Sequence, residues 1–398
     1  MRPATSCPKP GTIADRTACS CRLRKAIGAC YHERRDDNQT RHEAGHWGVT
    51  SQSEGEMKAV VIRAHGGPEV LNIEDVPDPI AGPGEVVVKV RAVALNHLDL
   101  WVRQGLPGAP FHLPAITGAD AAGDVHALGE GVDDVVIGAP VLVLPGISCG
   151  VCAACLGGAD QLCARYGILG ESCDGALAEL VKVPRANIVA KPANLTYEDG
   201  AAMSLTFLTS WHMLVARAEL RGGETVLVQA AGSGVGVAAV QIARFLGARV
   251  IATAGSEAKR QAARALGAHE VLDSRDPDWP KAVKAMTGGR GVDVVFEHVG
   301  GDTFERSMRV LAKAGRLVTC GATTGIDVKV NLRHVFFKSQ SILGSTMGSK
   351  GEYHQLVALW AQGLFRPVID RVLPLDRVRE AHAALEAREV FGKVVLVP

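Results

Sequence analysis

The sequence predicts an α/β protein in which a doubly wound parallel sheet is joined to a second, mainly β domain. Three observations carry that expectation. After residue 225, short apolar runs alternate with segments of helical period, the pattern of a parallel sheet covered on both faces. Between residues 57 and 191, strand-like runs are divided by Gly/Pro turns and helical period is scarce. Glycine is abundant, 45 of 398 residues, and aromatics make up only 5%, which suits many tight strand-to-helix turns.

Residues 1–56 stand apart. They combine dense charge with Cys7, Cys19, Cys21 and Cys30 and show little apolar periodicity. They read as a disordered extension or a misassigned start, with a small metal-binding or regulatory tail as the functional alternative. A secretory signal needs an apolar stretch of about 7–15 residues after its basic start, and none follows. Organised pattern begins at Met57, where Lys58-Ala59-Val60-Val61-Ile62 reads as a first strand. The turn Ala81-Gly82-Pro83-Gly84 then introduces a strand at 85–90. A helix is expected over 201–217, followed by the apolar run Thr225-Val226-Leu227-Val228-Gln229. From there the expected order is helix 235–247, strand 249–253, helix 257–266, strand 270–272, helix 280–287, strand 293–297, helix 302–312 and strand 315–319. Strand-like runs at 368–373 and 393–397 flank a helix at 375–387 and are expected to return to the first domain. The resulting division is 57–205 for the mainly β domain, 206–345 for the parallel-sheet domain, and 346–398 for the return.

Composition narrows the function. The formal charge is +1, which gives no electrostatic case for nucleic acid or an anionic membrane. No run of about 18 apolar residues exists, so no transmembrane helix is expected. A cytoplasmic protein acting on a small molecule is the expectation.

The turn Ala230-Ala231-Gly232-Ser233-Gly234-Val235-Gly236 ends a strand and opens a helix. Small residues there let backbone approach a dinucleotide pyrophosphate, and the helix N-terminus offers free N–H groups and partial positive charge. The strict G-x-G-x-x-G template is not met, because Ala231 and Ser233 stand where two glycines are expected. A tight connection is the plain alternative; the surrounding βαβ pattern favours the cofactor. The next strand ends in Thr253-Ala254-Gly255-Ser256, with no acid for a ribose 2′-hydroxyl, and Lys259 and Arg260 follow. Hydroxyl and cations suit a 2′-phosphate, so NADPH is favoured over NADH. A solvated helix face is the alternative for the two cations.

Cys149, Cys152, Cys155 and Cys163 follow C-x2-C-x2-C-x7-C. Four thiolates can close tetrahedrally around one zinc ion, and four protein ligands leave no open position for chemistry. Iron–sulfur ligation has similar spacings but fits less well, and disulfides lack an oxidising context. Cys173 and Cys320 stand alone.

A structural-zinc loop in a β-rich domain, followed by a dinucleotide-binding domain, resembles the medium-chain dehydrogenase/reductase superfamily. The local matches are Gly66-Gly67-Pro68-Glu69-Val70-Leu71, the segment Asn96-His97-Leu98-Asp99-Leu100-Trp101-Val102-Arg103, the cysteine loop, and Gly392-Lys393-Val394-Val395-Leu396. The resemblance implies a GroES-like catalytic domain and a Rossmann-type sheet, and hydride transfer between NAD(P)(H) and an alcohol, aldehyde, quinone or activated alkene. It also implies a homodimer or homotetramer. Zinc alcohol dehydrogenases of this superfamily hold a second, catalytic zinc. At the matching positions this sequence has Asn96, Ala119-Asp120 and Leu205, so one structural zinc per chain and no catalytic zinc is expected. Quinone oxidoreductases carry Asn in the same place but lack the cysteine loop, so the chain combines features of both branches.

By position, Asn96 and His97 are the candidates for stabilising charge on a substrate oxygen, with Thr206 or Thr209 beside the nicotinamide. A turn-capping amide is the alternative for Asn96. Proton donation, pyrophosphate contact and a structural hydrogen bond all remain open for His97. Asp99 is a further catalytic candidate, though orienting its own loop is the simpler role. Gly232, Ser233, Gly234, Val235, Gly236, Ser256 and Lys259 are expected at the cofactor, and Lys393 resembles the basic residue that reaches its phosphate from the last strand. The leading expectation is an NADPH-dependent reductase of quinones, enones or aldehydes. Alcohol dehydrogenation and a cofactor-binding sensor with little turnover are the alternatives.

Overall fold

A computed structural model describes residues 55–106 and 111–398 of the chain. The expectations for residues 1–56 fall almost wholly outside the described residues.

Valine-rich alternation builds the first domain. Strands β1 (Glu56–Ile62), β2 (Asn72–Pro77), β3 (Glu85–Ala94), β4 (Ala115–Ile116), β5 (Asp120–Leu128) and β6 (Pro140–Val143) are followed by the short β7 (Gly146–Ile147) and β8 (Gly167–Ile168). β9 (Leu180–Pro184) and β10 (Ile188–Ala190) complete this part of the chain. Between β3 and β4 lies an eight-residue helix, α1 (His97–Gln104), and the cysteine loop holds the single turn α2 (Ala153–Leu156). Helical period is so scarce here that it does not mark α1 in the sequence. Its signal is local: Asn96 precedes the helix and its backbone N–H donates to the Asp99 carboxylate at 2.7 Å, an N-terminal capping contact.

The chain then enters a long helix, α3 (Tyr197–Trp211), which continues as a π-helical turn over His212–Arg217. Thr196 caps it, accepting from Asp199 N. The expected domain boundary at 205/206 lies inside this helix, which is buried against β3 and β5 on one side and the next helix on the other.

From there strands and helices alternate: β11 (Thr225–Val228), α4 (Gly234–Phe245), β12 (Arg249–Ala254), α5 (Glu257–Ala265), β13 (Glu270–Asp273), α6 (Trp279–Met286), β14 (Val292–Glu297), α7 (Phe304–Val310) and β15 (Leu311–Thr319). Helix α8 (Leu332–Lys338) and strand β16 (Ser341–Gly344), neither expected from the sequence, extend the pattern. The six strands are parallel in the order β13-β12-β11-β14-β15-β16. Val226 and Val228 enter one apolar core and Leu227 the other, so both faces are buried and the strands read as continuous apolar runs. The strand order reverses between β11 and β14, and a ligand crevice is expected at their carboxyl ends.

Helix α9 (Lys350–Ala361) packs Tyr353, Leu356 and Trp360 into the core shared with α3. β17 (Ile369–Pro374), α10 (Val378–Glu386) and β18 (Lys393–Val397) then rejoin the first domain. β18 pairs with β3, placing the chain's end in a seven-stranded sheet ordered β10-β6-β5-β3-β18-β17, with β9 also on β3. Among the described residues no helix is long and apolar enough to cross a membrane.

Candidate active site

A cavity of ≈ 1040 Å³ lies where the two domains face each other. Its floor is the carboxyl end of the parallel sheet. The turn after β11 leads into α4 through Ser233, whose Oγ accepts from Gly236 N at 3.0 Å. Gly232, Ser233, Gly234 and Val235 line the cavity; Gly236, expected with them, is buried in the first turn of α4 and does not line it. A Cβ on Gly236 would lie 2.4 Å from the Ala230 carbonyl oxygen, so only glycine permits this close approach. The α4 N-terminus therefore presents N–H groups and its dipole to a free space, the requirement for a pyrophosphate. Gly236→Val is expected to fold but to weaken dinucleotide binding by roughly tenfold or more, since the turn must open to admit the side chain; fluorescence titration with NADH and NADPH measures it.

A chain of side chains fixes this floor. Thr253 Oγ1 donates to Gln229 Oε1 at 2.7 Å, and Gln229 Nε2 donates to Ser307 Oγ at 3.0 Å. Ser307 Oγ in turn donates to Glu297 at 2.8 Å. Glu297, fully buried, also accepts from the backbone N–H groups of His298, Val299 and Gly300 and from Thr303 Oγ1. It thereby shapes the loop after β14, whose His298 ring reaches Ser233 Oγ at 3.2 Å and the Gln229 carbonyl at 3.1 Å.

The opposite wall is built on β3, α1, β5, α3 and β18. Asp120 is fully buried at the start of β5. Its Oδ1 accepts from Leu205 N at 2.7 Å; its Oδ2 accepts from Asn96 Nδ2 at 3.0 Å and Lys393 Nζ at 3.1 Å. Lys393 Nζ also donates to Asn96 Oδ1 at 2.6 Å. Asn96, Asp120 and Lys393 thus form one closed, charge-balanced unit. Lys393 was expected to carry a free charge to the cofactor phosphate; its ammonium is instead bound to a carboxylate. Its stem still borders the glycine turn, with Cδ 3.0 Å from where a Gly234 Cβ would lie.

Asp99 is off the cavity wall. It is buried and accepts from Asn96 N at 2.7 Å and Gly118 N at 2.9 Å, tying α1 to the connection between β4 and β5. Its place corrects the catalytic expectation: the carboxylate orients backbone. Burial raises it to about 6, so its contribution to stability is present below about 3.8 and fades as pH rises through 6.

His97 lines the cavity, and burial lowers its imidazole to about 4, with the charges of His298, Arg388 and Lys393 acting in the same direction. The ring is neutral near pH 7 and serves as a hydrogen-bonding group. Stability tied to the neutral ring is present above about 6.5 and lost as pH falls toward 4. Its ring protons should therefore keep one NMR shift between about pH 6 and 8; a midpoint near 6.5 would contradict the burial argument.

Thr206 and Thr209 line the cavity from α3, Thr206 Oγ1 donating to the Ala202 carbonyl at 3.2 Å. Beyond them Leu98, Trp101, Phe111, Ile168 and Leu205 give the far end an apolar wall. Trp101 reaches across to the parallel-sheet domain, with Cη2 3.9 Å from where a Gly321 Cβ would lie.

At the other end, Ser256 caps α5 and lines the cavity. The two cations after it are already engaged. Arg260 pairs with Asp273 at 2.8 Å and with Glu257, and Lys259 Nζ donates to the carbonyls of Arg388 at 2.7 Å and Val390 at 2.8 Å. Ser274 and Arg275 line this end as well, with no sequence pattern to mark them.

Away from the cavity, the Sγ atoms of Cys149, Cys152, Cys155 and Cys163 all lie within 4.8 Å of one another. Sulfurs about 2.3 Å from one tetrahedral ion stand about 3.8 Å apart; the Cys149–Cys155 and Cys152–Cys155 separations are 3.8 and 3.5 Å. Backbone N–H groups of Val151 and Cys152 lower Cys149 to about 5, while desolvation and the Cys152 thiol push Cys155 up to about 11. Four thiolates so close cannot all ionise without a cation among them, and a divalent metal removes that conflict.

Comparison with known proteins agrees with this layout. Residues 82–193 match the model of the alcohol dehydrogenase GroES-like domain, and residues 234–362 that of the zinc-binding dehydrogenases. A quinone oxidoreductase of Pseudomonas aeruginosa is 34% identical over 350 residues, covering 86% of this chain and 99% of the relative. The chain belongs to the medium-chain dehydrogenase/reductase family. The crystal structure of an NAD-dependent alcohol dehydrogenase is 50% identical, with a TM-score of 0.83, covering 86% of this chain and all of that one. A thermostable alcohol dehydrogenase from Pyrobaculum aerophilum, solved with cobalt and zinc, is 33% identical at a TM-score of 0.78, covering 86% and 100%. The protein is accordingly an NAD(P)H-dependent oxidoreductase of this family.

Within the family frame, the residues missed from sequence are Glu297 and His298, together with Ser274 and Arg275. Glu297 and His298 end the strand beside the order reversal, a position that marks ligand contacts in open parallel sheets. That rule could have found them. Ser274 and Arg275 follow the expected strand at 270–272, but nothing in their residue types marks them as facing the cavity.

Proposed function

We propose that this family member is an NADPH-preferring reductase of a small carbonyl, quinone or enone, with one structural zinc and no catalytic zinc. The observation that carries the reading is the Asn96–Asp120–Lys393 unit. Where the resemblance would put metal ligands stand an amide, Ala119, Asp120 and Leu205, and Asp120 already accepts from a backbone N–H and an ammonium. A cation added beside Lys393 would meet like charge with no thiolate or imidazole in the set to hold it.

Cys149, Cys152, Cys155 and Cys163 hold the structural zinc. Bound in the cavity, the dinucleotide supplies the hydride. The α4 N-terminus receives its pyrophosphate, with the stem of Lys393 bordering the glycine turn, while Thr206 and Thr209 flank its nicotinamide end. Asn96 and the neutral His97 are the polar groups beside the apolar wall, and they orient a substrate oxygen there. The apolar wall excludes water and favours a planar, weakly polar acceptor. NADPH is preferred because β12 ends without an acid and Ser256, Ser274 and Arg275 line that end of the cavity. A reducing, cytoplasmic setting suits a site of four thiols. A homodimer, or a homotetramer built from it, suits the edge strand β16 and the exposed Leu332, Phe336 and Phe337 of α8.

The alcohol dehydrogenase reading has its own support in the likeness to the 50% identical NAD-dependent alcohol dehydrogenase. A panel of quinones, enones, aldehydes and alcohols with both cofactors, followed at the absorbance of the reduced nicotinamide, separates the two. Turnover of NADPH with a quinone or enone, and none with alcohols, supports the reductase. Alcohol oxidation abolished by chelation would replace it with the dehydrogenase.

A further inference from the structure

The apolar end of the cavity carries an acid. Glu171 and Asp302 both line the cavity, but Asp302 belongs to the loop after β14, on the side of the parallel sheet. Glu171 follows Ile168, a member of the apolar wall, and its N–H donates to the Ile168 carbonyl at 3.0 Å. Its side chain is half-buried.

The turn that presents Glu171 is tightly held. Gly170 has φ +78, and a Cβ there would lie 2.6 Å from Gly118 N, so the turn is seated directly on the connection between β4 and β5. That connection also binds Asp99 and leads into Asp120. Leu169 N donates to the Pro145 carbonyl at 2.9 Å, and Gly170 N to the Cys173 carbonyl at 3.0 Å. Ser172 Oγ accepts from Ile168 N at 3.2 Å and donates to Glu171 Oε2 at 3.0 Å, which orients the carboxylate. Among the described residues, no lysine or arginine pairs with it.

Nothing beside the apolar wall offsets this charge. Lys393 is bound to Asp120 and Asn96, and burial keeps the His97 ring neutral near pH 7. Arg275 pairs with Asp273 past the end of β13, and Arg388 stands by the glycine turn, its carbonyl bound by Lys259. A carboxylate bordering an apolar recess is felt strongly once a ligand fills the space, because few waters remain to screen it. A substrate bringing a second negative charge binds against that repulsion, and a neutral one does not.

We propose that Glu171 is a specificity-determining residue that turns away acceptors carrying a carboxylate or sulfonate and keeps the site for neutral carbonyls and quinones. The inference rests on reading the cavity as a reductase site. Glu171 distinguishes a charged substituent rather than the reacting group, so the same hydride transfer is fast or slow according to the rest of the molecule.

The test pairs menadione with naphthoquinone sulfonate, and benzaldehyde with its para-carboxylate. For each pair, kcat/KM is measured in wild type, Glu171→Gln and Glu171→Lys, with NADPH and with NADH. Comparing the anionic-to-neutral ratio between variants cancels the intrinsic reactivity of the compounds. The ratio is expected to rise about fivefold in Glu171→Gln and further in Glu171→Lys. Added salt should raise the ratio in wild type but not in Glu171→Gln. A ratio that stays at its wild-type value in both variants would overturn the proposal, including the case in which neutral and anionic acceptors lose rate together, the mark of a merely structural residue. Wild-type protein that oxidises neither nicotinamide with any of these acceptors would overturn the reductase reading itself, and this inference with it.

Discussion

Asp120→Ala is expected to cost about 3–5 kcal/mol of stability, because it strands a buried ammonium. Lys393 is only 4% exposed, and without the carboxylate it keeps a single amide oxygen as partner. Leu205 N loses its carboxylate acceptor in the same step, and Asn96 Nδ2 keeps only the Ala94 carbonyl at 3.3 Å. Denaturant unfolding of wild type and variant measures the loss. The double variant Asp120→Ala with Lys393→Met should recover a large part of it, because a buried pair removed together leaves no uncompensated charge. Activity should not recover, since Lys393 also borders the glycine turn. A loss below about 1 kcal/mol for the single variant would mean that the pair is screened by water and that the wall is not built as described.

The second large effect concerns the cysteine loop. Cys163→Ser removes the buried member of the four and is expected to release the metal. Zinc held by isolated modules supplies about 10–16 kcal/mol, so a loss well above about 3 kcal/mol is expected even though other contacts anchor this loop. Those contacts are Lys350 N to Asp160 Oδ1 at 2.9 Å and Lys350 Nζ to Ser148 Oγ at 2.9 Å. They tie the loop's two ends to α9 while leaving the cavity's walls untouched. The variant should therefore unfold or inactivate at much lower temperature, yet turn over at close to the wild-type rate per folded molecule in the cold. Thermal inactivation half-lives and initial rates on the same preparation measure both halves of this expectation.

How much of this was legible in the sequence depended on whether the physics was local. The parallel sheet was legible because strands such as Thr225–Val228, buried on both faces, cannot avoid being continuously apolar. The cysteine loop was legible because its ligands lie within fifteen residues of one another. The helix α1 was harder, since only its Asn96–Asp99 contact distinguishes it from the surrounding turns. Strand β16 and helix α8 have no buried face of the usual period: Leu332, Phe336 and Phe337 are exposed, so periodicity had nothing to report.

The site's charges were the least legible part. Residue type suggested that Lys259, Arg260 and Lys393 were free cations around a phosphate. Each is bound by a partner distant in sequence: Lys259 by carbonyls near residue 390, Lys393 by Asp120. Arg260 is bound in part by Asp273. A single chain reads as a string of charges until the fold pairs them. Asp99 shows the same limit from the acidic side, since nothing local says that its second acceptor atom faces Gly118.

The central claim is a hydride-transfer site whose substrate wall is organised by Lys393 and Asp120 without a metal, beside one structural zinc. Metal analysis of the purified chain, repeated on Cys163→Ser, tests it most directly. The claim requires one zinc per wild-type chain, none in the variant, and NADPH turnover that persists in the metal-free variant at low temperature. A second zinc that stays with Cys163→Ser, and whose removal by a chelator stops turnover, would contradict it.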